Sequence, residues 1–280
     1  MKKISRRSFL AAAAVSAAAL ALTACGGSAS TASSAAASSV AASSEAASTS
    51  AAAAELTTVE AGKLTMATNA TFPPYEMTTD AGTIEGIDVD TAQAIAEKLG
   101  LELQIDDMDF DAALLSVQQG KADIAMAGIT VTDERMAVMS FSDSYATGIQ
   151  SVIVPEGSDI ASVDDLAGKK IGTQRGTTGY IYCSDDFGDD AVVAYDDGLT
   201  AVQALNNGQV DAVVIDNAPA KEFVAANPGL VILDTSYAEE DYAIGLAKGS
   251  ALEDAVNAAL EELKADGTLQ SIVDKYITAE

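Results

Sequence analysis

GKADIAMAGITVTDER, residues 120–135, is the stretch from which the fold can be read. Residues 122–127 are a short apolar run after a glycine turn, which predicts a buried strand too short to be a helix. Ala127, Gly128, Ile129 and Thr130 follow where that strand would end. Thr132, Asp133 and Glu134 then read as an N-cap and first-turn acids, so a helix is expected there with Arg135 one turn in. Small residues let the backbone approach a ligand, Thr130 adds a hydroxyl, and Arg135 offers a planar fork suited to a carboxylate. Together these groups fit the carboxylate and ammonium of an amino acid. The plainer reading, open on these residues alone, is a strand, a turn and a capped helix with a solvated arginine.

The pattern recurs. LLSVQQGKADIAMAGI (114–129) and AVQALNNGQVDAVVID (201–216) share an amphipathic helix, a polar pair, a glycine, two residues, an aspartate and an apolar strand. Gly120 matches Gly208 and Asp123 matches Asp211, so Gly128 falls opposite Asp216. Two similar α/β lobes would each place a polar site just past the carboxyl end of one strand, where open α/β sheets bind ligands. Asp216 is then a counter-charge for an ammonium, or simply the start of a turn before Pro219.

Outward from these segments, helix and strand alternate. A strand is expected at 64–68, then a loop from Asn69 to Tyr75 stiffened by Pro73 and Pro74. Phe72 and Tyr75 either face a ligand or plug the core. A helix runs to Leu99 with Gly100 as C-cap, followed by a strand at 101–105 and a helix from Phe110 to Gln119. Residues 140–145 read as a loop, 149–154 as a strand, 163–166 as a short helix and 170–174 as a strand ending at Gln174. Arg175-Gly176-Thr177-Thr178-Gly179 is a turn into a helix; such a turn presents N–H groups and hydroxyls to an anion. A strand at 242–247 and helices at 252–265 and 268–276 close the chain. The alternation predicts doubly wound α/β lobes with parallel-rich sheets.

Composition bounds the chemistry. The 280 residues hold 15 Lys and Arg against 42 Asp and Glu, a net charge of −27. Four of the basic residues (Lys2, Lys3, Arg6, Arg7) lie in residues 1–24 without any acid, so the chain from Cys25 onward carries −31. Such a surface repels nucleic acid and anionic headgroups. No histidine is present, which removes the usual general base and the commonest metal ligand. SDDFGDD (184–190) and Asp107-x-Asp109-x-Asp111 do not fit a calcium loop, the latter having Ala112 and Gln118 where Gly and Glu belong. No metal or cofactor is therefore expected.

Residues 1–24 read as an export signal: a basic start, an apolar 10–22, and Leu22-Thr23-Ala24-Cys25, which resembles a lipobox whose Cys25 is lipidated. The Arg6-Arg7 pair suits a twin-arginine signal or an ordinary Sec signal alike. Residues 25–61, rich in Ala, Ser and Thr, read as a disordered tether. Cys183 would then be an odd thiol outside any disulfide framework.

ATNATFPPYE, GIDVDTAQAIAEKLG, AGITVTDER, FSDSY, DDLAGKKIG, RGTTG, VDAVVIDNAPA and LKADGTLQSIVDKY, taken in this order, resemble the polar amino acid solute-binding proteins of bacterial ABC importers, the family of the glutamine- and histidine-binding proteins. The resemblance covers nearly all of the chain from Leu64 to Tyr276. It implies a two-lobed, type II periplasmic-binding-protein-like fold with hinge strands near 145–149 and 240–244. Lobe 1 would be residues 62–146 and 242–280, and lobe 2 residues 147–241. It implies a monomeric, non-enzymatic receptor, lipid-anchored to the outer face of the membrane, that traps a free L-amino acid in the interlobe cleft and delivers it to a permease. By matching positions, Arg135 would clamp the α-carboxylate, helped by backbone at Ala127 and Gly128 and by Thr130. Thr177 and Thr178 would add contacts, Asp216 would bind the ammonium, and Phe72 and Phe110 would flank the side chain. Asn69 stands where some relatives carry Asp, and Gln174 occupies a position that varies with ligand, so the amino acid itself is open. The rival reading is an enzyme on the same fold, similar to cyclohexadienyl dehydratases.

Overall fold

The structure, a computed structural model, describes residues 56–277. The export signal, Cys25 and the tether up to residue 55 lie outside them. Helix and strand alternate as the apolar periodicity dictates. The chain runs through β1 (Lys63–Thr68), β2 (Thr71–Phe72), β3 (Glu76–Thr78), β4 (Ile84–Glu85), α1 (Ile87–Leu99), β5 (Glu102–Asp107), α2 (Phe110–Gln118), β6 (Ile124–Ala125), α3 (Asp133–Val138) and β7 (Met139–Phe141). It continues through β8 (Ala146–Pro155), β9 (Ile171–Gln174), α4 (Thr178–Phe187), β10 (Val192–Tyr195), α5 (Gly198–Asn206), β11 (Ala212–Asp216), α6 (Asn217–Ala226), β12 (Leu230–Ile232), β13 (Ala238–Tyr242), β14 (Gly245–Ala247), α7 (Glu253–Ala265) and α8 (Thr268–Tyr276).

Two lobes result, each built on one sheet. The first sheet has the order β5-β1-β6-β14-β7, the second β10-β9-β11-β8-β12 with β13 also on β8. A small sheet, β2-β3-β4, caps the first. Leu64 and Met66 of β1 pack with Ile95 of α1 and Leu260 of α7 in the first core. The second sheet is covered on both faces, by Val202 and Phe223 on one side and Leu166 and Cys183 on the other. Burial of Cys183 pushes its thiol up to about 12, which leaves it unreactive at neutral pH.

The sheets are less parallel than expected. β1 pairs parallel with β5 and β6, and β9 with β10 and β11, but β8 and β14 run antiparallel to every neighbour. The reason lies in the crossings between lobes. β8 and β13 pair from Ala146↔Tyr242 to Gln150↔Ala238. The single strand expected at 242–247 is therefore two, because Tyr242 pairs in the second sheet while Gly245 pairs with Ala125 and Phe141 in the first. β7 forms in the expected loop at 140–145 because β14 supplies its partner. In 122–127 only Ile124 and Ala125 join the ladder, since Ala127 and Gly128 turn away to line a cavity. The folded part also starts earlier than Gly62: Leu56 packs on the first core and the Val59 N–H donates to Asp123, whose other oxygen takes the Thr65 N–H.

Candidate ligand-binding site

The carboxyl ends of β1, β6, β9 and β11 converge on a cavity between the two sheets. It holds about 450 Å³ of space not filled by atoms, mouth included. Asn69, Phe72, Phe110, Ala127, Gly128, Thr130, Arg135, Gln174, Thr177, Thr178 and Asp216 all line it. Of the residues singled out from the sequence, Tyr75 alone does not. It is buried in the first core, stacked on Phe72 at 5.8 Å and edge-on to Tyr242 at 5.3 Å, and its outer side lines a separate recess behind Asp216. Tyr75 is thus the core plug of its two open readings.

Arg135 is placed by its helix. Thr132 caps α3 by accepting the Arg135 N–H, and the side chain runs inward until only 9 % of the residue is exposed. Its guanidinium donates to the Thr130 carbonyl at 2.7 Å and to the Gly176 carbonyl at 3.2 Å, and lies over the Phe110 ring at 5.3 Å. Burial lowers its pKa from the ordinary value, yet an arginine so placed stays charged. Two of its five N–H groups are used in these bonds; the other three are available to a carboxylate. The N-terminus of α4 lies alongside: Thr177 accepts the Tyr180 N–H as N-cap, and the Thr178 hydroxyl is 3.4 Å from that of Thr130. A guanidinium and a helix N-terminus side by side across the cleft make an anion site.

Asp216 ends β11 and caps α6 through the Ala218 N–H. Its other oxygen accepts the Ile149 N–H and the Tyr242 hydroxyl, the latter at 2.6 Å. Gly148 makes that contact fit, since a Cβ there would collide with both Asp216 and Tyr242. Gly128, at φ +55 beside the Phe72 ring, is likewise held to glycine. Asn69 and Gln174 close the far wall, Gln174 Nε2 donating to Asn69 Oδ1 at 2.8 Å from the opposite lobe.

Five wall residues were not singled out from the sequence: the apolar Val214 and Ile215 of β11, and Glu76, Gln150 and Tyr242. Gln150 donates to Glu240, and its Oε1 is buried without a partner among the described residues. Glu240 also takes the Thr130 hydroxyl at 3.0 Å, tying the two lobes together under the cavity. Glu76 has no exposed surface, and among the described residues its carboxyl meets no N–H or hydroxyl donor, only the carboxyl of Asp88. For Gln150 the available signal was an amide inside a largely apolar strand. Among the described residues no cluster of three or more His, Cys, Asp or Glu is arranged to hold a metal ion.

The site's carboxyls set a pH dependence. Burial raises Glu76 well above the usual range, with Asp88 adding to the effect, and burial pushes Asp88 and Asp216 up to about 6. The folded chain therefore binds more protons than the unfolded chain between about pH 4 and pH 6. The stability these groups contribute is greatest below that window and is lost as pH rises through it. Scanning calorimetry of the ligand-free protein should show Tm rising as pH is lowered from 7.5 to 5. A Tm that is flat or falls over that range would contradict the burial of these acids.

The cavity lies within a region that matches a family model. Residues 64–279 match that of the bacterial extracellular solute-binding proteins, family 3. The chain belongs to this family. It is 32% identical over 226 residues to the L-cystine-binding protein TcyJ of Escherichia coli strain K12, covering 79% of this chain and 85% of TcyJ. It is 32% identical over 227 residues to the putative ABC transporter arginine-binding protein 2 of the same strain, covering 79% and 93%. Among solved structures, an ancestral arginine-binding protein bound to glutamine superposes with a TM-score of 0.74 at 40% identity, covering 78% of this chain and 99% of that one.

Proposed function

We propose that this family member is the extracytoplasmic receptor of an ABC importer and takes a free basic L-amino acid, arginine foremost. The observation that carries the choice is the charge balance of the cavity wall. Arg135 with the α4 N-terminus suits an α-carboxylate; Asp216, with Gln150 Oε1, suits an α-ammonium. That zwitterion leaves the Glu76 carboxyl, which no Lys or Arg of the described residues pairs, facing the ligand side chain, and a positively charged group there would supply its counter-charge. Phe72 and Phe110 would flank the stem of that side chain. The arginine-binding relatives support the same reading.

Lobe 1 would comprise residues 62–146 and 242–280 and lobe 2 residues 147–241, flexing at β8 and β13 to close on the ligand and present the closed form to a permease. Export with a lipid anchor on Cys25, and a monomeric receptor without catalytic activity, belong to the same proposal.

A thermal-shift panel of the twenty amino acids, cystine and ornithine tests it, read with a dye because the chain has no tryptophan. A ligand at about a thousand times its Kd adds about 4 kcal/mol of stability. Arginine, lysine or ornithine should give the largest shift. A flat panel, or turnover of a prephenate-like substrate, would overturn the reading.

A further inference from the structure

Glu76 meets a second acid that the cavity does not touch. Glu76 opens β3, and Asp88 lies in the first turn of α1, itself without exposed surface. The Asp88 N–H donates to the Tyr75 carbonyl at 2.9 Å, which brings the two acids side by side with their carboxyls within hydrogen-bonding reach. Asp88 Oδ2 accepts the Gly128 N–H at 3.0 Å, and the Tyr145 hydroxyl and the Glu76 carboxyl lie beside the rest of its carboxyl group. The titratable groups facing the pair are Tyr145 and Tyr75, with Asp107 at the end of β5 adding further negative charge. Among the described residues no Lys or Arg forms an ion pair with either acid. Two adjacent buried carboxyls without a cation cannot both ionise, and they titrate as a unit.

We infer that Asp88 is a hidden determinant of specificity: it shares one proton with Glu76 in the empty cleft, which a cationic side chain expels and a neutral amide side chain leaves in place. The inference rests on the amino-acid reading above. The step breaks one carboxyl O–H bond, and the proton passes to the solvent as the ligand's charge takes its place. The Gly128 N–H and the α1 N-terminus favour the charge on Asp88, so the proton sits on the Glu76 side, facing the ligand. Burial, which pushes Asp88 up to about 6 and raises Glu76 well above the usual carboxylate range, brings this exchange towards the lower edge of the physiological range. With the proton in place Glu76 can both donate to and accept from an amide. With the proton gone it is a full counter-charge. Preference for arginine over glutamine should therefore rise with pH, by up to about tenfold per unit within the window.

The test is isothermal titration of the protein with arginine and with glutamine, in buffers of different ionisation enthalpy at pH 6 to 7.5. Asp216 faces the ammonium common to both ligands, so any proton it releases cancels in the difference between them. Arginine should release about one proton more than glutamine. In Asp88→Asn, whose amide can still accept from Gly128 and can donate to Glu76, the burial of Glu76 remains but its acid neighbour is gone, so that difference should shrink and the pH at which the arginine-to-glutamine ratio changes should fall. The wild-type series stands alone if this variant does not fold. Equal proton release for the two ligands, or a ratio independent of pH in the wild type, overturns the inference while the amino-acid reading stands. Failure of both ligands to bind overturns the two together.

Discussion

Replacing Arg135 by alanine should cost about 2–5 kcal/mol of amino-acid binding, a loss of roughly thirtyfold to several thousandfold in Kd, because the ligand carboxylate would be buried without its partner. The guanidinium also has a structural duty. It reaches the carbonyl of Thr130 from its own lobe and that of Gly176 from the other, so it joins the two walls of the cleft. Arg135→Lys separates the two roles. It keeps the charge, which still attracts a carboxylate, but loses the fork that spans both carbonyls and the ligand at once. Titration calorimetry should rank wild type above Arg135→Lys above Arg135→Ala for every amino acid that binds, irrespective of side chain. Near-normal affinity in Arg135→Ala would remove the carboxylate assignment.

Arg135 was legible because its signals are local. A buried strand, a turn holding the small residues Ala127, Gly128 and Thr130, and an N-capped helix follow one another within sixteen residues, and the structure puts Thr132, Thr130 and Arg135 where that order implies. Asp216 was legible through the internal echo, which aligned it with Gly128; both line the cavity from opposite lobes. It caps α6 through the Ala218 N–H, the plainer of its two readings, and faces the cavity as well. What the sequence hid depends on long-range packing. Tyr75 and Phe72 are three residues apart in one loop, and only the first core decides that one is sealed in while the other reaches the cavity. The splitting of 242–247 into two strands follows from partners more than a hundred residues away. Gln150 and Tyr242 come from β8 and β13, whose mutual pairing no single-strand pattern announces.

Glu76 is the sharpest case, and its substitution is the second large effect expected. It follows two prolines and a tyrosine in a segment whose pattern suggests only a short strand, and its encounter with Asp88 requires β3 to fold back on the start of α1. Glu76→Gln keeps the shape and removes the charge. Against arginine the variant should lose about 2–5 kcal/mol, since the ligand cation would be buried without a counter-ion. Against glutamine it should lose far less, because an amide can pair with an amide. The order of preference should therefore invert from arginine to glutamine, with Arg135 and Asp216 still holding the shared zwitterion. The same substitution should raise the Tm of the ligand-free protein at pH 7.5, where the unpartnered carboxyl is most costly, and change it little at pH 5. Titration calorimetry and melting curves on one variant thus read two consequences of one buried charge. If arginine affinity survives the change, the cation sits elsewhere in the cleft, and the charge balance that selects a basic ligand is wrong.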